Sequence, residues 1–473
     1  MNNNQTPTPY VMLFVPWLLS LLFMDYPFIS YLLAWLGSFL IFYISLSGKI
    51  KALPSDLPFA AQLMRPLILV QLIFAGYMSC TSIFYFIELV HTLPDTSVTN
   101  GTSTLHLTAQ CQRHYSLAHA AFVTGILLFL PPTPIHKYSY ITPQPGKLIF
   151  SISIIGICLS YLLSKLEGLE QLSHQFNTLS AIAGTLALTY AITERKIIHI
   201  SCCLLIYGMN FYHALISGFK EPIILSIVVL AIFLYPSYKR TVIFVFLPLL
   251  FSLFFLLPTY NRIFREQAWS GGLSVTQAGQ LALSATFDEE NTDNNLAFFT
   301  NRLSEISMFT KYVQSTPNNV DHYGFDLVHQ SLQSIIPRVF WPSKPNTEQL
   351  VMERVYKAGV INEASKVSAK PAFVVDAYLS GGIPGIFICL FSYGAMCQLI
   401  SNKAEELFGG YTLGIALIFT GLFQIFWRGQ SFEFLINSVF WSYISMYLIF
   451  WTLRFFAVVI PSAVVMPAKA GPS

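Results

Sequence analysis

The sequence predicts an all-α polytopic membrane protein with about twelve membrane-crossing helices and one large, partly helical loop outside the membrane. Three observations predict it. Of 473 residues, 54% are hydrophobic and 10% charged, and the mean hydropathy is +0.58, whereas a soluble domain carries about 25% charged residues. The apolar residues fall in blocks long enough to cross a bilayer. A single long polar stretch, 259–371, interrupts them. A water-soluble globule of this length has no interior large enough for so much apolar surface. A cytosolic enzyme, a nucleic-acid-binding protein and a disordered scaffold are therefore excluded. The 26 Lys and Arg against 23 Asp and Glu leave +3, too little to draw a polyanion.

A crossing helix needs roughly 20 apolar residues, since the hydrocarbon core is about 30 Å thick and each residue rises 1.5 Å. By that measure the spans fall near 10–24, 27–47, 66–92, 116–131, 148–164, 178–193, 197–215, 222–236, 241–258, 372–399, 411–427 and 431–453. Three regions follow: nine N-terminal helices over 1–258, a loop subdomain over 259–371, and three C-terminal helices over 372–473. Helices are required because lipid offers no partner to a free backbone N–H or C=O. The runs are too long and too evenly apolar for barrel strands. The opening MNNNQTPTPY lacks the basic stretch of a cleavable signal peptide, so the first apolar run reads as a retained helix.

Orientation follows from the cations. With the N-terminus in the cytoplasm, inner segments hold Lys49, Lys51, Arg65, Lys137, Lys147, Arg195, Lys196, Lys239, Arg240, Lys403, Arg454 and Lys469. The short outer loops hold only Arg113, Lys165, Lys220 and Arg428. Both termini are expected in the cytoplasm. The 259–371 stretch then lies outside, and its runs LAFFTNRLSEISMFTKYV and VHQSLQSIIPRVFW argue for a folded, partly helical unit. The seven cysteines form no CxxC or Cys/His cluster of metal-ligand spacing, and Cys111 alone sits in a polar loop. Neither a disulfide framework nor a metal site is expected, and no cofactor motif is present.

The most informative tract is SIIPRVFWPSKPN at 334–346. Pro337, Pro342 and Pro345 forbid a continuous helix, so the segment is a stiff turning loop. It presents Arg338 and Lys344 beside Phe340 and Trp341, which suit the membrane interface. Two cations on a rigid, aromatic-anchored loop fit an anionic lipid headgroup, above all a diphosphate. Arginine offers a planar fork and lysine a point charge. A basic loop meeting ordinary anionic phospholipids is the plainer reading.

Three further tracts converge on the same face. A helix carrying Arg302 and Glu305, with an internal salt bridge as the plain alternative, is expected before a turn-rich stretch with Asn319, His322, Tyr323, Gly324 and Asp326. KPAFVVDAYLSGGIPGIFI places Asp376 and Tyr378 at a helix mouth, followed by Gly381, Gly382 and Gly385, where a backbone or ligand approaches closely. FWRGQSFEF places Arg428 and Glu433 in the connection between the last two spans, where they either pair or face a cavity.

At these residues the chain resembles the Wzy-type O-antigen polymerases, the oligosaccharide repeat-unit polymerases. The matching pattern is NRLSEI, TP…YG, IPRVFWPSKP, DAYLSGGIPGIF and WRGQSFEF, over roughly 300–435; the first nine spans match in hydropathy alone. The resemblance implies a GT-C-like glycosyltransferase of the bacterial inner membrane. Such an enzyme joins repeat units carried on undecaprenyl diphosphate at the periplasmic face, without a metal or cofactor. It also implies the lipid bilayer, a chain-length regulator and a flippase as partners, and no nucleic acid. In such a site Arg338 and Arg428 would clamp the donor diphosphate, and Arg302 and Lys344 would bind the second lipid-linked chain or assist the clamp. His322 and Asp376 are candidates for the general base, and Trp341, Tyr323 and Tyr378 for sugar contacts. The family residue before the tyrosine is often Glu, where this chain has Asp376.

Three other readings remain, one of them a purely structural partner in a polysaccharide export complex, which would tolerate loss of the arginines. An O-antigen ligase shares the outer loop and arginines. A polysaccharide transporter or flippase predicts internal repeats and mid-membrane charges, and the sequence has no clear repeat.

Overall fold

A computed structural model describes residues 8–92, 98–99, 102–133, 137–140, 144–166, 168–218, 220–270, 272–286, 305–338, 340–364 and 369–462. Within them the chain is mostly helical. The helices are α1 Val15–Leu22, α2 Pro27–Leu46, α3 Ser82–Thr92, α4 Thr104–Phe129, α5 Pro145–Ser164 and α6 Glu170–Glu194. Then come α7 Ile197–Ile216, α8 Lys220–Leu234, α9 Leu247–Arg265 and α10 Val275–Thr286. The 259–371 region, into which α9 runs and which holds α10, also contributes α11 Ile306–Ser315, α12 Asp326–Ile335 and α13 Thr347–Lys357. The chain closes with α14 Phe373–Leu407 and α15 Phe432–Phe455. Sheet is confined to short pairs such as Tyr138–Tyr140 against Val459–Pro461.

Among the described residues, seven helices are long and apolar enough to cross a membrane: Pro27–Leu46, Leu69–His91, Pro145–Ser164, Gln171–Glu194, Ile197–Ile216, Phe373–Leu407 and Phe432–Phe455. Three shorter apolar helices, Pro9–Leu22, Glu221–Leu234 and Tyr411–Leu422, accompany them. The chain is thus a helical protein with the helices of a membrane protein.

The core is built around α4 and α14. The α4 sequence is too polar in its first half to read as a span, yet that half lies inside the protein: Thr108, Cys111, Gln112, His114 and Ser116 are all buried. Cys111 therefore belongs to a buried helix rather than a loop, a correction to the sequence reading. Helix α4 accepts α14 at very short range through glycines. A Cβ at Gly394 would overlap the Phe122 carbonyl oxygen, and one at Gly125 that of Phe391. Without a hydrophobic force between helices in lipid, such close backbone contact is how membrane helices gain packing energy.

Helix α14 departs from a single straight span. Its backbone breaks at Gly381 (φ −176°, ψ 33°) and Gly382 (φ 62°, ψ −138°). In a continuous helix Phe373 and Tyr393 would be about 30 Å apart; their ring centroids are 4.6 Å apart. The segment before the break folds back along the one after it. Gly385 makes this possible, since a Cβ there would collide with the Ala377 carbonyl oxygen. Of the three glycines expected to allow a close approach, Gly385 meets backbone, Gly382 meets the His322 ring, and Gly381 has open space beside it. Residues 383–407 alone rise about 37 Å, enough to cross the hydrocarbon.

Candidate functional site

The short arm of this hairpin carries Asp376 to the start of α15. There Asp376 Oδ2 accepts the Phe432 backbone N–H at 2.9 Å. Helix starts leave N–H groups without partners and carry a positive partial charge, so a carboxylate from another element caps this one. The next residue, Glu433, adds a second carboxylate in the first turn. Arg354, from α13, closes the group. Its Nη1 and Nη2 donate to the two Glu433 carboxylate oxygens at 2.7 and 3.0 Å, and Nη2 reaches Asp376 Oδ2 at 3.3 Å. Nη1 also meets Gln330 Oε1, from α12, at 3.3 Å.

All three charged groups are buried, with Asp376 and Glu433 fully enclosed. Burial alone would lower the Arg354 pKa, but the Asp376 and Glu433 carboxylates outweigh it and raise the guanidinium above its ordinary value. A planar fork is the side chain that meets a carboxylate on both oxygens. The cluster ties α12, α13, the α14 hairpin and α15 together. The alternative of an Arg428–Glu433 pair is overturned. Glu433 belongs to Arg354, and Arg428 Nε meets Glu221 Oε1 at 2.5 Å at the start of α8.

The proline-punctuated loop hangs from the end of α12. Lys344 is buried, and its Nζ donates to the Ser334 and Ile336 carbonyls at 2.6 and 2.8 Å. A helix C-terminus leaves such carbonyls orphaned and favours a cation. Burial, and then the neighbouring Arg338 charge, push the Lys344 ammonium pKa down. Trp441 of α15 donates its indole N–H to the Ile335 carbonyl at 3.1 Å. Arg338 Nη1 donates to the Lys344 carbonyl at 3.2 Å, and Trp341 Nε1 to Ser343 Oγ at 3.1 Å. Arg338 itself is exposed, and among the described residues no carboxylate pairs with it. Leu332, Ile336 and the 81%-exposed Phe340 lie uncovered on the same segment.

His322 covers the hairpin turn. Its Nε2 and Cε1 lie 3.6 Å from where a Gly382 Cβ would stand, and its ring meets Tyr378 edge-on at 5.8 Å. Tyr378 donates its hydroxyl to the Thr316 carbonyl at 2.8 Å. The Tyr323 N–H donates to the Leu379 carbonyl at 2.9 Å, and burial pushes its phenol pKa up.

The sequence-predicted residues thus form separate groups. Asp376, Tyr378, His322 and Tyr323 surround the hairpin, and Arg338, Trp341 and Lys344 share one loop. Arg428 is tied to Glu221, its neighbour Gly429 accepting the Phe373 backbone N–H at 2.6 Å, while Arg302 lies outside the described residues. Sequence reasoning missed Arg354, one loop cation among many. Its helical register was the available signal. Three residues after Val351 and next to Val355, Arg354 falls on the buried side of α13, where a guanidinium requires a buried partner.

No curated protein and no solved structure matches this chain. A family model described as a domain of unknown function, DUF8712, matches residues 15–461. The chain belongs to the DUF8712 family.

Proposed function

We propose that this protein is a membrane glycosyltransferase that polymerises oligosaccharide repeat units carried on a lipid diphosphate, in the manner of the Wzy-type polymerases it resembles in sequence. In this reading it crosses a bacterial inner membrane twelve times, with both termini cytoplasmic and the α11–α13 unit in the periplasm. The cations at the other end of the helices support that orientation. Lys49, Lys51, Lys137, Lys147, Arg195, Lys196, Lys239, Arg240 and Lys403 all fall in the segments this orientation puts inside.

The observation that carries the reading is Arg338. It is an exposed guanidinium without a carboxylate partner among the described residues, on a loop pinned by Lys344 and Trp441 and bordered by uncovered apolar side chains. A charged head on an isoprenoid tail asks for that pairing of cation and apolar surface. A fixed cation stabilises a diphosphate leaving group without reorganising during the reaction. Lys344 holds the loop rather than the substrate. Asp376 is committed to Arg354 and the α15 N-terminus, which leaves exposed His322 as the general base. Arg428, paired with Glu221, joins the donor site only by exchanging that partner.

A host lacking this gene tests the reading. Its glycan acceptor should carry single repeat units, with long chains restored by the wild-type gene and not by Arg338→Ala. An acceptor with no units at all would indicate a ligase, and restoration by Arg338→Ala would remove the arginine from the mechanism.

A further inference from the structure

Where α5 and α7 begin and α6 ends, these three helices line a half-open cavity of about 300 Å³. Its wall includes Phe150, Tyr190 and Cys203, and its lining also includes Lys147, Glu194 and His199. All three helices are among the seven of membrane length. Helix α7 turns a largely uncovered apolar face outward, with Ile198 78% and Leu205 71% exposed. The cavity therefore borders the hydrocarbon on one side.

Its rim is electropositive. Glu194 is held by Lys196 at 2.6 Å. Lys147 has no carboxylate partner among the described residues, and Arg195 stands exposed beside the pair. Lys147 and Lys196 against Glu194 leave one positive charge at the mouth. Helices α5 and α7 begin here, at Pro145 and Ile197, without side-chain caps, and α6 ends here at Glu194, so two positive helix ends meet one negative end. Apolar walls below a cationic rim at the end of membrane helices match one occupant.

We propose that this cleft binds one anionic phospholipid, its phosphate headgroup at Lys147 and one acyl chain against Phe150, Tyr190 and Cys203. A soluble anion has no use for the apolar wall. A zwitterionic lipid brings an ammonium group among the same cations. The site is independent of the glycosyl-transfer reading.

Native mass spectrometry of the detergent-purified protein with equal amounts of phosphatidylglycerol and phosphatidylcholine tests it. The wild type should retain one phosphatidylglycerol preferentially. Lys147→Gln should lower that retention about fivefold, the effect of one cation near an anionic headgroup. Ser151→Trp, at an exposed edge of the lining, should block the apolar part and remove the adduct for either lipid. Equal retention of the two lipids by the wild type, or an unchanged phosphatidylglycerol adduct in both variants, would overturn the proposal. So would an adduct formed equally well by inorganic phosphate alone.

Discussion

Replacing Arg354 by Met should cost more stability than any other single loss of charge in the α11–α13 unit. The substitution keeps the length of the side chain and removes the guanidinium, so Glu433 and Asp376 remain buried with no cation. Hydrogen bonds at 2.7, 3.0 and 3.3 Å to two carboxylates disappear together. Breaking a buried pair from one side costs about 3–5 kcal/mol, because the stranded charge keeps its desolvation penalty. Replacing the whole group is far milder, as apolar substitutes for a buried ion cluster are often neutral. Arg354→Met combined with Asp376→Asn and Glu433→Leu should therefore recover most of the loss. The assay is the thermal transition of the purified protein in detergent, followed by tryptophan fluorescence and by the monodisperse fraction after heating. Lys357→Met is the control, since Lys357 pairs with Glu353 at the surface and such pairs contribute about 0–1 kcal/mol. If Arg354→Met lowers the transition no further than Lys357→Met, the cluster does not hold these elements together.

Three further expectations concern the hairpin and the loop. Gly382→Ala should destabilise by about 1–2 kcal/mol, because φ is 62° and a Cβ resists the left-handed region; Gly385→Ala should cost more, since its Cβ meets backbone rather than space, and the same thermal assay ranks the two. Lys344→Met should orphan the carbonyls at the end of α12 at a cost of about 1–3 kcal/mol, seen as faster proteolysis within 336–345 without loss of the membrane helices. Arg338→Ala should leave the thermal transition within about 0.5 kcal/mol of wild type, while chain growth in cells is lost.

Much of the fold was legible in the sequence because hydropathy reports directly on lipid exposure. It failed where a helix is buried in protein. The first half of α4 carries Gln112, Arg113 and His114, and its neighbours supply contacts that lipid would not, such as Arg113 Nη1 to Ser30 Oγ at 2.8 Å. It failed again at Gly381–Gly382, where an apolar run long enough for one span is a folded-back arm and a helix of membrane length. Composition gives no hint of direction. The candidate site was legible in its motifs but not in its pairings. The tract around Trp341 was expected to be stiff, and it is pinned by Lys344, a residue expected to face substrate. Glu433 pairs with a guanidinium 79 positions away rather than with the nearby Arg428. Ion-pair partners depend on which elements the hairpin brings together, and sequence separation does not encode that.

The measurement that bears most directly on the central claim is the incubation of the purified protein, in lipid vesicles, with an oligosaccharide repeat unit linked to undecaprenyl diphosphate. The predicted result is a ladder of glycans lengthened by whole repeat units for the wild type, and none for Arg338→Ala. A wild-type protein that stays folded and leaves every oligosaccharide at one unit would contradict it.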